Sequence, residues 1–204
     1  MSEVNDRSDE AKSDLRRRQV LDAATECFRR EGFHGSSIAR ISRAAGMSAG
    51  HIYHYFANKE AIVEAIADRE CDNMADLVET LSEDTEGGDL VARLTRQTAK
   101  AVEKNSDPAV VGLMLELAAE SARNPSISQI LQRSDREISD QFVDLVHRIG
   151  ALPGLPAEEL RLRLTMIGAT MQGLAMRSIV EPNRDQEATV RLLNKVVATL
   201  LVEE

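Results

Sequence analysis

Apolar residues recur every three or four positions along most of the chain, which is the spacing of helices that bury one face. Between residues 16 and 30 this stripe consists of Val20, Leu21, Ala24, Cys27 and Phe28. A longer stripe runs through residues 126–149, and no stretch alternates with a period of two for long enough to indicate a strand. The pattern predicts an all-α protein of about nine helices.

Two short helices with a tight turn between them are predicted in the first third of the chain. Ser36 and Ser37 offer hydroxyls that cap the first helix, and Gly46 ends it. Ser48 caps the second helix, which runs over residues 49–56. A glycine permits the sharp reversal, so this order of caps and breaks predicts a helix-turn-helix.

The outer face of the second short helix combines small residues with hydrogen-bonding rings. Its members are Ala49, Gly50, His51, Tyr53, His54 and Tyr55. Such a face suits a nucleic-acid groove and its phosphates. The alternative is an ordinary helical hairpin with surface aromatics, but the whole chain has only two Tyr and four Phe, so their clustering here favours a binding face.

The charge distribution supports the same segment. The chain has 25 basic and 34 acidic residues, a formal net charge of −9, which argues against polyanion binding by the whole molecule. Residues 15–59, however, carry eight basic and three acidic side chains, which indicates a nucleic-acid-facing module within an acidic chain. Arg16, Arg17 and Arg18 begin this block. They form either a solvated charge run or a group that reaches the DNA backbone or a neighbouring minor groove.

Residue types and spacings argue against other chemistry. Cys27 and Cys71 lie in apolar helical patterns without a second Cys or His at metal spacing, so we expect buried thiols. The four histidines have no metalloprotease pattern, and neither a nucleophile elbow nor a Gly-rich phosphate loop is present, so we expect no enzyme, no metal site and no cofactor. No apolar run approaches the ~18 residues of a membrane span, and the polar start is unlike a signal peptide, so we expect a cytoplasmic protein without membrane contact.

A resemblance to the DNA-binding domain of the TetR family of bacterial transcriptional regulators is carried by residues 16–66, which read RRRQVLDAATECFRREGFHGSSIARISRAAGMSAGHIYHYFANKEAIVEAI. The shared marks are Phe28, Gly32, Phe33, Ser36, Ser37, Ile41, the run Ala44 to Ser48, Ile52-Tyr53, Tyr55-Phe56 and Asn58-Lys59-Glu60. The resemblance implies an N-terminal three-helix helix-turn-helix domain followed by a helical ligand-binding and dimerisation domain. We expect the DNA-binding domain over residues 15–60 and the effector-binding and dimerisation domain over residues 61–204. The polar, charged residues 1–14 predict a disordered arm.

The resemblance also implies roles for single residues. Ala49, Gly50 and Tyr53 are expected to approach base edges, joined by Arg40 or Arg43. The expected phosphate contacts are Ser36, Ser37, Tyr53, His54, Tyr55 and Lys59, and Ser48 belongs to the same interface. His51 departs from the small hydroxyl residue that the family commonly has there. It either reads a guanine or phosphate or is merely exposed.

In this family the later helices commonly enclose an effector pocket. The candidate lining residues are Leu77, Leu94, Gln97, Leu113, Met114, Leu117, Phe142 and Met171, each of which also suits plain core packing. Glu116 and Glu120 either meet a cationic ligand or lie on a solvated face. Beyond residue 59 the only aromatic side chain is Phe142, so an aromatic cage for quaternary ammonium compounds cannot be built. An aliphatic or apolar effector fits better.

A homodimer is expected because one helix-turn-helix contacts too little DNA for useful specificity. The family pairs its two last helices, predicted here over residues 157–180 and 185–202. The apolar positions predicted for that pairing are Met166, Ile167, Met171, Leu174, Val190, Leu193, Val197 and Leu200. The alternative is that these residues pack only within one subunit.

Together these features predict a regulator that binds a palindromic double-stranded DNA operator as a dimer, most simply a repressor released by a small-molecule effector. One alternative is an activator or a DNA binder that does not respond to ligands. A second alternative is a small-molecule-binding module without DNA function.

Overall fold

The computed structural model describes residues 2–83 and 89–201, with side chains from residue 11 onward. Over these residues the chain forms nine α-helices and no strand, which confirms the all-α prediction. The helices are α1 (Ser2–Gly35), α2 (Ile38–Ala44), α3 (Ala49–Tyr55), α4 (Lys59–Ser82), α5 (Leu90–Lys104), α6 (Pro108–Ser121), α7 (Pro125–Arg148), α8 (Ala157–Val180) and α9 (Gln186–Leu200). Val202, the end of the last predicted helix, lies outside the described residues.

The N-terminal segment differs from the prediction of a disordered arm. From Ser2 onward the residues assigned to that arm, 1–14, belong to α1, and Met1 lies outside the described residues. Neither glycine nor proline precedes Gly32 in the sequence, so no residue of the segment breaks a helix. Gly32 itself has φ 74° and ψ 169°, a conformation that glycine adopts easily, and it kinks the end of α1.

Two compact units divide the chain, and their borders differ from the predicted boundary at residue 60. The first unit joins the described residues up to Arg69 with Gly112–Leu131. The second joins Glu70–Val111 with the described residues from Gln132 onward. The start of α4, the end of α6 and the start of α7 therefore belong with the helix-turn-helix. The predicted boundary follows position in the sequence and places these segments in the second domain, whereas the observed unit is defined by packing.

A single core holds the first unit together. Phe28 of α1, Ile41 of α2 and Ile52 of α3 are fully buried in it. The same cluster contains residues from α4, α6 and α7, namely Ile62, Val63, Ile66, Leu117, Ile127 and Ile130. Because α2 and α3 are seven residues each, too short to be stable alone, this core is what holds them in place.

The second unit is built on helices from the rest of the chain. Helix α5 packs against α8 and α9, and Leu160, Leu193 and Val197 are buried between them. A smaller cluster is formed by Val78, Leu81 and Leu145, with Phe142 packed against it. None of the described helices is both long enough and apolar enough to cross a membrane.

Both cysteines are buried thiols outside any disulfide, as their apolar surroundings predict. Cys27 lies in the core of the first unit, where burial raises the pKa of its thiol. Cys71 belongs to the second unit, and its Sγ lies 3.2 Å from the Ser134 hydroxyl oxygen. Two such buried thiols, each in a different unit, have no disulfide role here.

Candidate nucleic-acid interface

Local hydrogen bonds fix the ends of α2 and α3. The Ser37 hydroxyl accepts a bond from the Arg40 backbone N–H at 3.2 Å, and the Ser48 hydroxyl accepts one from the His51 N–H at the same distance. Gly46, with φ 63°, forms the turn between the helices. These caps and this turn confirm the predicted helix-turn-helix, and they fix which side chains of α3 face outward.

Helix α3 divides its residues between core and solvent. Ile52 is fully buried, and Phe56, which follows the helix, is almost so. Gly50, His51, Tyr53 and His54 are exposed, whereas Ala49 and Tyr55 are half-buried. Tyr53 keeps 56% of its surface in contact with solvent, an unusual exposure for a large aromatic side chain. The predicted contact residues thus form one continuous outer face.

Tyr55 organises the two histidines of this face. Its ring stacks on His51 with centroids 6.2 Å apart and meets the edge of His54 at 5.1 Å. Tyr55 also packs against the core of the first unit. The two imidazoles are therefore held by a ring that the core itself positions, which restricts their side-chain freedom.

The structure corrects the phosphate role expected for Ser36. Its side chain is fully buried, and its hydroxyl donates a hydrogen bond to the Gly32 carbonyl oxygen at 2.8 Å. The hydroxyl therefore satisfies the kinked end of α1 and faces away from solvent. Of the predicted pair, only Ser37 is exposed and caps α2.

The two arginines of α2 are exposed but engaged. Arg40 forms an ion pair with Glu31 of α1. Arg43 donates from Nε to the Ala39 carbonyl oxygen at 3.3 Å. Glu31 was missed by the sequence analysis, because its side chain meets Arg40 only after α1 and α2 pack together. A carboxylate that neutralises Arg40 competes with any phosphate for it.

Lys59, at the start of α4, contacts the end of α1. Its ammonium donates to the Phe33 carbonyl oxygen at 2.6 Å and lies 4.2 Å from the centre of the Phe33 ring. This bond uses one of its three N–H donors. A phosphate contact by Lys59 remains a proposal. In the structure Lys59 also joins the start of α4 to the end of α1.

Glu116 of α6 contacts the other backbone group of Phe33. Its Oε1 accepts a hydrogen bond from the Phe33 backbone N–H at 2.7 Å, next to the kink at Gly32. A Cβ atom at position 32 would lie only 3.0 Å from this oxygen, so glycine allows the approach. The solvated face considered for Glu116 is therefore incorrect. No local sequence signal reveals a bond between residues 83 positions apart.

Glu120, one turn further along α6, is also buried rather than solvated, with 1% of its surface exposed. Asn124 donates to its Oε1 at 3.1 Å, and its Oε2 lies 2.7 Å from Arg123 Nη2 and 3.1 Å from His34 Nε2. Burial alone raises the pKa of this carboxyl. The hydrogen bond from Asn124 and the charges of Arg123 and His34 outweigh burial, so the pKa lies below its ordinary value.

The residues predicted to line an effector pocket do not share one core. Leu113 and Leu117 pack in the core of the first unit, with the helix-turn-helix. The clusters of the second unit contain Leu77, Leu94, Phe142 and Met171, whereas Gln97 and Met114 are half-buried. The lining role of these residues stays a prediction, and the structure places the end of α6 in the first unit.

Family models match both parts of the chain. Residues 20–66 match the model of bacterial regulatory proteins of the tetR family. Residues 91–202 match the model of the BetI-type transcriptional repressor C-terminal domain, which covers more than half of the chain. The chain belongs to the TetR family of transcriptional regulators. It is therefore a helix-turn-helix DNA-binding regulator and not an enzyme.

Individual relatives agree with this assignment. The transcriptional regulator BetI of Escherichia coli O17:K52:H18 (strain UMN026 / ExPEC) is 31% identical over 169 residues, which cover 80% of this chain and 82% of that protein. Salmonella enterica GusR has a similar structure, with a TM-score of 0.75, 28% identity and coverage of 92% of this chain and 95% of that one. A structure described as the SmeT–triclosan complex shares the fold, with a TM-score of 0.72, 23% identity and 93% coverage of each chain.

Replacing Glu120 by Gln tests the buried anion. Because the folded-state pKa is lowered, the carboxylate stabilises the protein above its unfolded pKa of about 4.3 and loses this effect as the pH falls through the folded-state value. Urea unfolding should show Glu120→Gln to be less stable by about 1 kcal/mol at pH 7, with the difference from the wild type shrinking below about pH 4. Glu103→Gln, at an exposed carboxylate of α5, serves as the control. A difference that stays constant from pH 7 to pH 3 would contradict the assignment.

Proposed function

We propose that this TetR-family regulator is a repressor that binds a palindromic operator as a homodimer and is released by a small-molecule effector. The exposed outer face of α3 carries the proposal. Gly50, His51, Tyr53 and His54 face solvent on a helix whose two ends are fixed by caps and by the buried Phe56. A rigid helix with an exposed polar face suits the major groove, where base pairs present distinct donor and acceptor patterns.

Within this face we assign base contacts to Ala49, Gly50 and Tyr53. The small residues permit close approach of the helix, and the exposed phenol supplies a hydrogen-bonding group. His54, Ser37 and the remaining donors of Lys59 are assigned to phosphates. Arg40 and Arg43 join the interface when a phosphate or base edge replaces their internal partners.

Dimerisation is supported by an unpartnered stripe on α8. Leu162, Met166, Met176 and Val180 are each more than half exposed and repeat at the spacing of one helix face, with the small Ala169 and Gly173 between them. This stripe lies on the opposite side of α8 from the buried Leu160 and Ala175. The small residues in its centre allow a second helix to approach closely.

Helix α9 adds to the same apolar surface through Leu192 and Val196, which are 58% and 38% exposed. Some positions that the sequence suggested for pairing serve the protomer's own core instead. Leu193 and Val197 are buried, and Ile167, Met171, Leu174 and Val190 pack against the same cluster. Met166 is the one member of that suggested set in the exposed stripe of α8. Exposed apolar area of this extent marks an interaction site.

An aliphatic effector is supported by a cavity in the second unit. Its volume is about 460 Å³, within the range of ligand sites. The lining residues are Asp89, Leu90, Val91, Arg93, Ile149, Gly150, Ala151, Leu152, Pro153 and Leu201. Most lining residues are aliphatic, and the two charged ones are Asp89 and Arg93, so an apolar chain with a polar end fits its chemistry. The related SmeT structure, described as a triclosan complex, shows that the fold can hold a small molecule.

The proposed mechanism is exclusion. The dimer occupies the operator and blocks transcription, while the effector stabilises a conformation whose recognition helices no longer match the half-site spacing. An effector releases the DNA only to the extent that it binds this second conformation more tightly.

The first test is selection of random duplex DNA by the purified full-length protein at moderate salt, with sequencing of the bound fraction. We expect a palindrome of two half-sites whose centres lie about one helical turn, or a multiple of it, apart. A folded protein that enriches no sequence would overturn the operator proposal.

Tyr53→Ala tests the recognition face. Loss of the phenol should weaken binding to the selected duplex by roughly 1–3 kcal/mol in fluorescence anisotropy. Tyr53→Phe keeps the ring and removes only the hydroxyl, so it separates hydrogen bonding from packing. Circular dichroism should remain unchanged, because Tyr53 is exposed. Equal affinity of Tyr53→Ala and the wild type would remove Tyr53 from the interface.

Met166→Glu tests the dimer. A charge buried in the centre of an apolar interface should raise the dimer dissociation constant at least about 100-fold, as measured by analytical ultracentrifugation. Gln129→Glu adds the same charge at an exposed position of α7 and should leave the association state unchanged. If both variants behave like the wild type, the α8 stripe is not the interface.

Sodium decanoate and ethidium test the effector class in titration calorimetry. We expect decanoate to bind and to lower the affinity for the selected duplex, because the cavity is aliphatic and contains Arg93. Val91→Trp fills the cavity and should abolish decanoate binding while DNA binding persists. Tight binding of ethidium with none of decanoate would contradict the aliphatic assignment.

A further inference from the structure

The basic half of α1 lies against the turn that precedes the recognition helix. Gln19 donates from Nε2 to the Ala45 carbonyl oxygen at 2.7 Å, and Ala45 is the C-terminal cap of α2. Its neighbour Val20 is fully buried in the core of the first unit. This part of α1 is therefore fixed to the helix-turn-helix by a hydrogen bond and by packing.

Arg17 contacts the opposite end of α3. Its guanidinium carbon lies 5.4 Å from the ring centre of Phe56, the residue that caps α3. A cation over an aromatic face is attracted to it, so Phe56 restricts where the exposed Arg17 points. Within one turn of α1, Gln19 thus contacts Ala45, four positions before α3 begins, and Arg17 contacts Phe56, directly after α3.

Arg16 is held on the same side of α1. Its Nη1 donates to Gln19 Oε1 at 3.0 Å, and the other side of that amide is bonded to the turn. Arg16 is exposed, as Arg17 is. Arg18 is also exposed, and it lies about 200° around the helix from the buried Val20 but about 60° from the buried Leu21. Of the three consecutive arginines, Arg16 and Arg17 are therefore the two that these contacts tie to the helix-turn-helix.

The length of α3 and the width of the major groove put phosphates of the proposed complex near the ends of α3. Helix α3 has seven residues and is about 10 Å long, and the major groove is about 12 Å wide. When α3 lies in the groove, the phosphates that border it pass close to both ends of the helix. Guanidinium groups fixed beside those ends suit phosphate oxygens, which they bind in a forked geometry.

We propose that Arg16 and Arg17 of α1 form a second phosphate-binding surface, which contacts the DNA backbone beside the groove that α3 enters. The inference rests on the proposed operator binding and adds two contacts outside the helix-turn-helix. The rival interpretation, a solvated charge run, treats the three arginines as equivalent. The structure makes them inequivalent, and this difference can be measured.

The test is the salt dependence of binding by the full-length protein to a fluorescein-labelled duplex that carries the selected site. Each phosphate contact that is lost lowers the slope of log affinity against log salt by about 1, so Arg16→Ala and Arg17→Ala should each reduce the slope by about 1 per bound protomer. Near 0.1 M salt the affinity should fall roughly tenfold per contact. Arg18→Ala is the matched control and should retain the wild-type slope.

Two further variants separate charge from structure. Arg16→Lys keeps the charge and should retain most of the slope, whereas Arg16→Glu should lower affinity more than Arg16→Ala. Arg17→Ala also removes the contact with Phe56, so its melting temperature is measured beside that of Arg17→Lys. Mass photometry counts the protomers bound in every case.

Equal slopes for the wild type, Arg16→Ala and Arg17→Ala would overturn the proposal while leaving operator binding intact. An equal reduction by Arg18→Ala would also overturn it, because it would show general steering by charge. If the wild type itself binds the duplex without salt dependence, the proposed function fails and this inference fails with it. A reduction in the Arg16 and Arg17 variants alone supports the second surface.

Discussion

The backbone N–H and carbonyl groups of Phe33 are the point on which the first unit depends. At the kink after Gly32 the regular helix ends, and a buried backbone group without a partner there is costly. Glu116 of α6 accepts the N–H, while Lys59 of α4 donates to the carbonyl oxygen. The backbone of one residue thus contacts an anion through its N–H and a cation through its carbonyl oxygen, and three helices meet there. The position of α4 after the recognition helix follows from this arrangement.

Acidic side chains within the first unit lie beside its basic groups and offset part of their charge. Glu31 pairs with Arg40, and Glu120 lies beside His34 and Arg123, so several positive groups have internal partners in the absence of DNA. A compact unit with eight basic and three acidic residues between positions 15 and 59 would otherwise repel itself. Carboxylates from α6 lessen that repulsion. Phosphates that approach Arg40 must compete with Glu31. This competition favours DNA sites that also make contacts other than charge pairing with the protein.

Sequence reasoning succeeded where interactions are local. The caps Ser37 and Ser48 and the turn at Gly46 were predictable because their partners lie within a few residues. It failed where a side chain chooses between distant partners: Ser36 turns to Gly32, and Glu116 reaches a backbone group 83 positions away. The candidate effector residues fall in different cores, because helical periodicity shows which residues are buried but not in which core they pack. The direct contacts to DNA remain predictions.

The core beneath the helix-turn-helix is assembled from separated parts of the chain. Leu117, Ile127 and Ile130 complete it from α6 and α7, more than forty positions after the last of its other members. The DNA-binding unit of this regulator is therefore not a continuous segment that ends near residue 69. Exchange of the later helices between relatives is a simple route to new ligand specificity. Such an exchange would remove the α6 and α7 residues from that core unless the end of α6 and the start of α7 were kept with the DNA-binding unit. Selection for DNA binding consequently acts on residues that a linear domain map assigns to the sensor.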